Sequence, residues 1–433
     1  DVNKTWIPAY ARMTDDLGFG IWNFSPDIKK SMKNLFTIIT LSILLVLPHS
    51  VFASTSYPQI ANYYLNFFTA RDYAKLVKYD LLILQPEMAI SQSRFFSNYK
   101  KTNPDGKLLA YLYPASFYRP TLFYDNFSAR TRLFEQINYL DLWLRDTDGE
   151  IISPWPQMNS VNITRPDWRH LNLTYLIDAY RLKTTWDGVF WDLVDSDATK
   201  YSTRPIDITE KAVCAPQNDV NALWQTAMAD FLAASRQKLP TKILLINGDS
   251  LPAWQSQING RMFEHFPTPW EGNGSWQASM KQYLSILPNL NQRPAAYVLN
   301  ARYDKSLAAS EYQQMRFGLT SALLGDGYFS FDDGAESHSQ LWWYDEYDLD
   351  LGKPLTKATN STGSSALVAP GLWLREFSKG LVLVNSSDQI QSISLTAGKY
   401  RRFKGSQDSL INNGKAVDLV ELGARDGLIL LKK

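Results

Sequence analysis

The sequence predicts a closed (β/α)8 barrel followed by a small all-β domain. Eight short, nearly continuous apolar runs alternate with longer amphipathic stretches between residues 60 and 333. This alternation is typical of a parallel sheet that is buried on both faces, and eight such units close a barrel. An open doubly wound sheet is the alternative, but no glycine-rich phosphate loop follows the first run. After about residue 356 the chain changes to short strands with polar turns, which indicates an antiparallel domain of sandwich type.

Each apolar run is long enough for one barrel strand. The runs are IANYYLNF (60–67), LLILQP (81–86), KLLAYLYP (107–114), GVFWDLVD (188–195), KILLINGD (242–249), RMFEHF (261–266), PAAYVLNA (294–301) and GYFSFDD (327–333). Between them, the amphipathic stretches 71–79, 221–238 and 310–325 predict helices on the outside of the barrel. The connection after the third run is long, and its part from 143 to 170 is dense in Trp, Pro and Asp. A long loop at the carboxyl end of a barrel strand often carries part of a site.

Residues 32–53 have the parts of a secretory signal peptide. They comprise a basic start after Met32, an apolar run over residues 35–47, and small side chains at Val51 and Ala53 before the expected cleavage point. The apolar run is shorter than the ~20 residues that a membrane span needs. We therefore expect a secreted or periplasmic protein with no stable membrane anchor. An uncleaved signal anchor is the alternative.

The other boundaries follow from this assignment. Residues 1–31 precede an apparent start codon, and we interpret them as a non-native upstream segment. The mature chain is then expected to contain the barrel over residues 54–355, a linker over 356–365 and the β-domain over 366–433. The β-domain lacks clustered carboxylates, which indicates packing or accessory binding rather than chemistry. We expect the mature protein to be a monomer.

The composition excludes several classes of function. The net charge is +1 with acids and bases interspersed, which argues against nucleic acid or an anionic membrane surface as a partner. The single cysteine, Cys214, excludes an intrachain disulfide and a Cys-ligated metal site. Only four His occur in the chain, so we expect no metal site and no other cofactor. The aromatic content of 13% suits stacking on sugar rings, although the packing of a large core accounts for it equally well.

The chemistry is expected where the barrel strands end, because active sites of such barrels lie at the carboxyl ends of the strands. The apolar run at 188–191 leads directly into Asp192, and burying a carboxylate there is costly unless it is paired or functional. Asp192 alternates in step with Phe190, and Glu264 with Met262, so both acids are expected to face the barrel interior. The remaining strand-end residues are amides, acids and a phenol: Gln85, Tyr113, Asp195, Asn247, Asp249, Asn300, Asp332 and Asp333.

A carboxylate-rich pocket in a secreted, aromatic-rich barrel fits glycoside hydrolysis. That reaction needs one carboxylic acid to protonate the leaving oxygen and one carboxylate to attack or stabilise the oxocarbenium-like centre. We predict Asp192 as the nucleophile or stabiliser and Glu264 as the general acid/base, acting on a polysaccharide or an oligosaccharide. The residues predicted to bind the substrate are Tyr113, Trp155, Asp195, Asn247 and Asp333.

Each assignment has a structural alternative. A strand-end Asp such as Asp192 often caps a following helix or turn, and this reading is stronger for Asp195 and Asp197. Glu264 would instead belong to a buried ion pair with Arg261 or Arg302. For the whole protein the alternatives are a polysaccharide-binding barrel without catalysis and, with less support, a polysaccharide deacetylase or lyase.

Three stretches resemble a known bacterial family. WDGVFWDLVDSD (186–197), INGDS (246–250) with GRMFEHF (260–266), and MRFGLTSALLGDGYFSFDDG (315–334) are similar to hypothetical glycosyl hydrolase family 15, which is distinct from the glucoamylases. The similarity runs from about residue 60 to 350 and includes WLRDTDGEIISPWP, and LWLREFSKGLVLVNSS resembles the β-domain that often ends such proteins. The resemblance implies a barrel with a carboxylate pair. By position, Asp192 would be the fourth-strand carboxylate and Glu264 the sixth-strand one.

Overall fold

The first ten strands of the chain build a barrel and a small antiparallel pair beside it. The computed structural model describes residues 56–119, 129–210, 216–270, 274–285, 287–335, 337–363 and 371–433. The predicted upstream segment and signal peptide lie outside the described residues. The strands are β1 (Ala61–Tyr64), β2 (Leu81–Leu84), β3 (Lys107–Leu112), β4 (Ser116–Tyr118), β5 (Met158–Ser160), β6 (Gly188–Val194), β7 (Ile243–Gly248), β8 (Gly260–Phe263), β9 (Val298–Arg302) and β10 (Tyr328–Asp332).

All of these strands except β4 and β5 form one parallel eight-stranded sheet that closes on itself. The spatial order is the chain order, β1-β2-β3-β6-β7-β8-β9-β10. The last strand returns to the first, since Ile60 pairs in parallel with Phe329 and the Phe329 amide donates to the Gln59 carbonyl at 2.9 Å. Each of the eight predicted runs contains one barrel strand, so the predicted α/β barrel is confirmed.

Side chains along the barrel strands alternate between the interior and the helical shell. Phe190 and Met262 both lie in the interior, which places residues of the same parity, including Asp192, on the inner face. The interior cluster consists of Ala61, Tyr63, Leu81, Ile83, Leu109, Tyr111, Phe190, Ile243, Leu245, Met262, Ala296 and Val298. This cluster fills the barrel below the carboxyl ends of the strands, so polar side chains one step further along lie at its mouth.

Helices cover the outer face of the barrel. The described helices are α1 (Tyr73–Leu76), α2 (Met88–Ser91), α3 (Ser93–Thr102), α4 (Ala129–Tyr139), α5 (Pro166–Ala179), α6 (Gln217–Lys238), α7 (Trp276–Ser285) and α8 (Glu311–Leu323). Packing of α6 illustrates the contact, because Phe231 lies against Trp191 with ring centroids 5.0 Å apart and Ser235 accepts from the Trp191 indole at 3.1 Å. Ser310 caps the N-terminus of α8, since its hydroxyl accepts from the Gln313 amide. None of the described helices is both long and apolar enough to cross a bilayer.

The C-terminal part is all-β and antiparallel, as predicted. Its strands are β11 (Thr359–Asn360), β12 (Leu372–Glu376), β13 (Gly380–Asn385), β14 (Gln391–Ser394), β15 (Tyr400–Arg402), β16 (Ala416–Val417), β17 (Leu419–Leu422) and β18 (Asp426–Lys432). Six of them form one sheet in the order β11-β12-β13-β18-β15-β16, and β14 pairs with β17. One face of the large sheet packs with β17 around Leu381, Leu383 and Leu428. Strand β11 falls within the stretch predicted as a linker.

The other face of the large sheet packs on helix α8 of the barrel. Buried Arg316 of α8 donates to Asp408 and, at 3.0 Å, to Asp426 at the start of β18. Gly427 is required at this contact, because a Cβ there would lie 1.9 Å from the Thr320 hydroxyl oxygen. The barrel and the sheet therefore share a buried, charged and closely packed junction, which we call the barrel–sheet junction.

Candidate active site

Two carboxylates lie at the carboxyl ends of barrel strands β6 and β8, on either side of β7. Asp192 lies near the end of β6, Glu264 directly follows β8, and Asn247 near the end of β7 lies between them. The Asn247 side-chain nitrogen donates to Asp192 Oδ1 and to Glu264 Oε2, each at 2.9 Å. Since both oxygens lie 2.9 Å from the same nitrogen, they are no more than about 6 Å apart. We call Asp192 and Glu264 the carboxylate pair.

Asp192 is buried and accepts hydrogen bonds from three donors. Besides Asn247, the Tyr111 hydroxyl donates to Oδ2 at 2.6 Å and the Leu193 amide donates to Oδ1 at 2.8 Å. The ladder between β6 and β7 shifts register between Trp191 and Val194, and Leu193 has φ of 57°. A bulge of this kind redirects a side chain, and a left-handed backbone at a bulky residue is strained. The local backbone thus holds Asp192 in a costly but well-defined position.

Asp192 and Glu264 differ in the groups that shift their pKa values. Burial raises the pKa of Asp192, while its hydrogen bonds from Tyr111, Asn247 and the Leu193 amide oppose the rise. Burial, and next to it the negative charge of Asp192, raises the pKa of Glu264 to about 7. Three donors favour the charged form of Asp192, but only one serves Glu264. Hydrogen bonding among the described residues therefore favours the charged form of Asp192 more than that of Glu264.

A histidine and a third acid extend the cluster on the Glu264 side. His338 Nδ1 lies 2.9 Å from Asp332 Oδ2, and His338 Nε2 lies 3.8 Å from Glu264 Oε1. Asp332 also accepts from the Asn300 side chain at 2.8 Å and from the Gly334 amide at 2.7 Å. These donors leave Asp332 ionised, so the Nδ1 of His338 carries a proton and its Nε2 faces Glu264.

Tyrosines line the barrel interior under Asp192. The Tyr111 and Tyr113 hydroxyls lie 2.6 Å apart, and the Tyr63 ring lies 4.1 Å from the His338 ring. Burial, followed by the charge of Asp192, raises the pKa of Tyr63, Tyr111 and Tyr113 well above the ordinary tyrosine value. All three phenols therefore stay protonated and serve as hydrogen-bond donors at any physiological pH.

The structure brings some of the predicted substrate-binding residues to the pair. Asn247 contacts both acids, and Tyr113 reaches Asp192 through Tyr111. Asp195 is buried, but its carboxylate already accepts from Lys200 at 2.6 Å and from the Tyr201 hydroxyl.

Other predicted residues lie apart from the pair. Asp197 caps the 3-10 turn at Ala198–Tyr201 by accepting from the Thr199 amide at 2.9 Å, which is the structural alternative given for it above. Trp155 is 51% exposed, and within the described residues no contact joins it to either acid of the pair. Asp333 is exposed and accepts from the Ala335 amide, whereas its neighbour Asp332 points to His338.

The alternation of strand residues distinguishes Asp332 from Asp333. In β10 the inner face carries Ser330 and Asp332, and the outer face carries Phe329 and Phe331, which belong to the core under the helices. The same alternation places Tyr111 beside Asp192. No sequence signal identifies His338, because it lies in an irregular segment beyond β10.

The proposed ion-pair alternative for Glu264 does not occur among the described residues. Arg302 lies 3.8 Å from Asp304, and Arg261 donates to Gln282 at 3.3 Å and lies over the Phe263 ring. No Arg or Lys of the described ranges forms an ion pair with the carboxylate pair. Nor do these ranges contain three His, Cys, Asp or Glu arranged to hold a metal ion.

A cavity of 530 Å³ lies between helices α7 and α8 and the C-terminal sheet, with His265 in its lining. Its volume is in the range of small-ligand sites, and such sites are frequent between domains. It does not contain the carboxylate pair itself. Its lining mixes apolar and polar side chains: Phe266, Trp276, Gln277, Arg302, Phe317, Ser386 and Arg425.

A closed α/β barrel with acids at the carboxyl ends of its strands is an architecture found in glycoside hydrolases. The chain belongs to hypothetical glycosyl hydrolase family 15, whose model matches residues 100–381. The resemblance seen in the sequence is thereby confirmed. No curated protein sequence matches the chain.

Solved structures of similar fold include three glycoside hydrolases. The glycoside hydrolase domain of PelA from Pseudomonas aeruginosa is 13% identical with a TM-score of 0.45, and the match covers 66% of this chain and 98% of that one. An α-galactosidase from Lactobacillus brevis is 12% identical with a TM-score of 0.48, and the family 36 α-galactosidase AgaB from Geobacillus stearothermophilus is 9% identical with 0.46. Each match covers 88% of this chain and 56% of the galactosidase, so this chain spans just over half of their length. Identities this low do not extend the substrates of those enzymes to this chain.

Proposed function

We propose that the protein is a secreted glycoside hydrolase that cleaves a polysaccharide or an oligosaccharide with the carboxylate pair. The observation that carries this proposal is that one Asn247 nitrogen binds both Asp192 and Glu264, which keeps the bound oxygens of the two acids within about 6 Å of each other. Membership in a glycosyl hydrolase family supports the reaction class. Export is proposed on the signal-peptide pattern of residues 32–53, and the mature barrel is proposed to begin near Ser54.

The proposed reaction assigns opposite roles to the two acids. Glu264, protonated near neutral pH, donates its proton to the glycosidic oxygen as the bond to the anomeric carbon breaks. Asp192, held ionised by its three donors, attacks the anomeric carbon and forms a glycosyl ester. Water then attacks the same carbon, gives a proton back to Glu264 and releases Asp192. Carboxyl groups ~5–5.5 Å apart are typical of this retaining course, and those of inverting enzymes lie ~6.5–9.5 Å apart.

The surrounding side chains suit the binding of sugar hydroxyls. Tyr113 and Asn247 lie beside Asp192 and retain polar atoms that a substrate would meet at the barrel mouth. A binding barrel without catalysis is the second candidate, but sugar binding alone gives no reason for two acids that share one Asn247 nitrogen and have no Arg or Lys partner among the described residues.

A glycan screen tests the proposal. The protein expressed from Met32 in a bacterial host should be recovered outside the cytoplasm with its N-terminus near Ser54. We expect it to release reducing ends from one of a panel of bacterial exopolysaccharides and plant glycans, and the doubly substituted Asp192→Asn, Glu264→Gln protein serves as the blank. Binding of a glycan without any release above this blank would instead establish the binding barrel.

A further inference from the structure

His338 is fixed through Nδ1, and its Nε2 has no hydrogen-bond partner among the described residues. Its Nδ1 is held by Asp332, which is itself held by Asn300 and the Gly334 amide, and its ring lies against Tyr63. Its Nε2 lies 3.8 Å from Glu264, a distance too long for a hydrogen bond but short for two charges in a buried site. The imidazole is therefore rigid and aimed at the acid that the reaction must protonate and deprotonate.

We propose that His338 is a positioning residue whose imidazolium, held by Asp332, compensates the charge of Glu264 whenever Glu264 gives up its proton. This inference rests on the proposed function, since it assigns His338 a role in the two-step hydrolysis. His338 touches no reacting atom in this scheme. It acts through Glu264 alone.

The charges around His338 favour its protonated form. It faces three acids, Asp332 from β10, Glu264 after β8 and Asp192 from β6. Burial alone would lower the pKa of His338, but the hydrogen bond and charge of Asp332 and the charges of Glu264 and Asp192 raise it above its usual value. The other imidazole nearby is His265, and burial lowers its pKa, so it adds no positive charge at neutral pH.

During the first step a negative charge moves within the site while the imidazolium stays fixed. Before the step, Asp192 and Asp332 are negative, His338 is positive and Glu264 is neutral. After it, Asp192 is a neutral ester and Glu264 is negative, while His338 and Asp332 are unchanged. The negative charge has moved from Asp192 to Glu264, where His338 is the nearest cation among the described residues. Without that cation, Glu264 would have to ionise in a buried site with no opposite charge beside it.

The test measures the titration of Glu264 without a substrate. The carbonyl stretch of the protonated Glu264 carboxyl is followed by infrared difference spectroscopy and assigned by its loss in Glu264→Gln. The test variant is His338→Asn, because the Asn amide keeps a donor for Asp332 at the position of Nδ1 and removes the charge. The matched control is His170→Asn, at an exposed histidine of α5.

We expect His338→Asn to raise the Glu264 midpoint above about 7 by ~1 unit or more, because loss of a neighbouring cation disfavours the carboxylate. The control should leave the midpoint unchanged, and a merely structural role of His338 would not move it. An unchanged midpoint in folded His338→Asn overturns the proposal. If that variant does not fold, NMR titration of His338 in the wild type decides: a midpoint above 6.5 supports the proposal, and one below 6.5 overturns it.

This outcome is separable from the proposed function. A shifted Glu264 midpoint together with no hydrolysis of any glycan would refute the hydrolase and leave the electrostatic coupling established. Hydrolysis together with an unshifted midpoint would keep the hydrolase and refute the role of His338.

Discussion

The barrel mouth and the barrel–sheet junction both contain buried acids, but the groups that contact these acids differ between the two regions. At the junction Arg316 donates to both Asp408 and Asp426. At the mouth neither acid of the carboxylate pair contacts an Arg or Lys of the described ranges. Its partners there are neutral donors and one histidine.

This difference separates a structural use of buried charge from a functional one. At the junction burial raises the pKa of Asp426 and Arg316 opposes this rise, and removing either partner of such a pair leaves an uncompensated buried charge. An acid that is buried with neutral donors has a pKa free to rise, as that of Glu264 does. The ion pairs of the junction thus stabilise the fold. The acids at the mouth reduce its stability, but they can exchange protons near neutral pH.

The largest expected effect is the loss of hydrolysis on neutralising either acid of the pair. Glu264→Gln should reduce turnover by ~10²–10⁴-fold, the usual contribution of a general acid or base, and Asp192→Asn should abolish it. Neither variant should melt below the wild type at pH 8. The folded-state pKa of Glu264 is about 7 and its ordinary value is 4.5, so the wild type loses stability as the pH rises from about 4.5 through 7.

The readout is the hydrolysis rate on the glycan that the screen identifies, with the thermal midpoint measured on the same preparations. Near-normal turnover in either variant removes that residue from the mechanism. A large fall in thermal midpoint would mean that the substituted acid stabilises the fold, as the acids of the junction do.

The junction should show the opposite behaviour. Arg316→Met leaves Asp408 and Asp426 buried without their partner and should lower the free energy of unfolding by ~3–5 kcal/mol. Arg401→Met, at an exposed arginine of β15, is the matched control and should stay within ~0.5 kcal/mol of the wild type. Denaturant unfolding measures both. Where Arg316→Met is still folded, its hydrolysis rate should equal that of the wild type, and a specific loss of turnover would contradict the division between the two regions.

The sequence predicted the junction and the mouth unequally. The eight strands were predictable because each is a short apolar run, and the inner-face positions of Asp192 and Glu264 followed from alternation with Phe190 and Met262. The docking of the sheet on α8 was not, because Arg316 and Asp426 are 110 residues apart and nothing local signals their pairing.

Within the mouth, the sequence did not predict which side chains lie close together in three dimensions. In the sequence, Asp332 and Asp333 were both identified as residues at the end of a barrel strand. Only the alternation of side chains in β10 shows that Asp332 is the one that faces His338. His338 itself lies in a segment without helix or strand period, so its approach to Glu264 depends on the closed barrel.

A smaller effect is expected from removing one hydrogen bond, either at the carboxylate pair or in the core away from it. Tyr111→Phe removes a donor to the Asp192 carboxylate, and a bond to a charged group contributes ~1.5–3 kcal/mol, so turnover should fall about tenfold or more. Tyr99→Phe is the matched change, since its buried hydroxyl donates to the Tyr79 carbonyl away from the pair. It should reduce stability by ~1 kcal/mol and leave turnover unchanged. Equal kinetic effects of the two substitutions would contradict the assignment of Tyr111 to the site.

The most direct test of the carboxylate pair is the titration of Glu264 in the wild type and in Asp192→Asn, followed by the infrared band of its protonated carboxyl. We expect a wild-type midpoint near 7, because burial and the charge of Asp192 both disfavour ionisation of Glu264. Asp192→Asn removes the charge and keeps the shape of the side chain, so the midpoint should fall. A wild-type midpoint near the ordinary value of 4.5, or a midpoint that does not change in Asp192→Asn, would show that the two acids do not act as a pair.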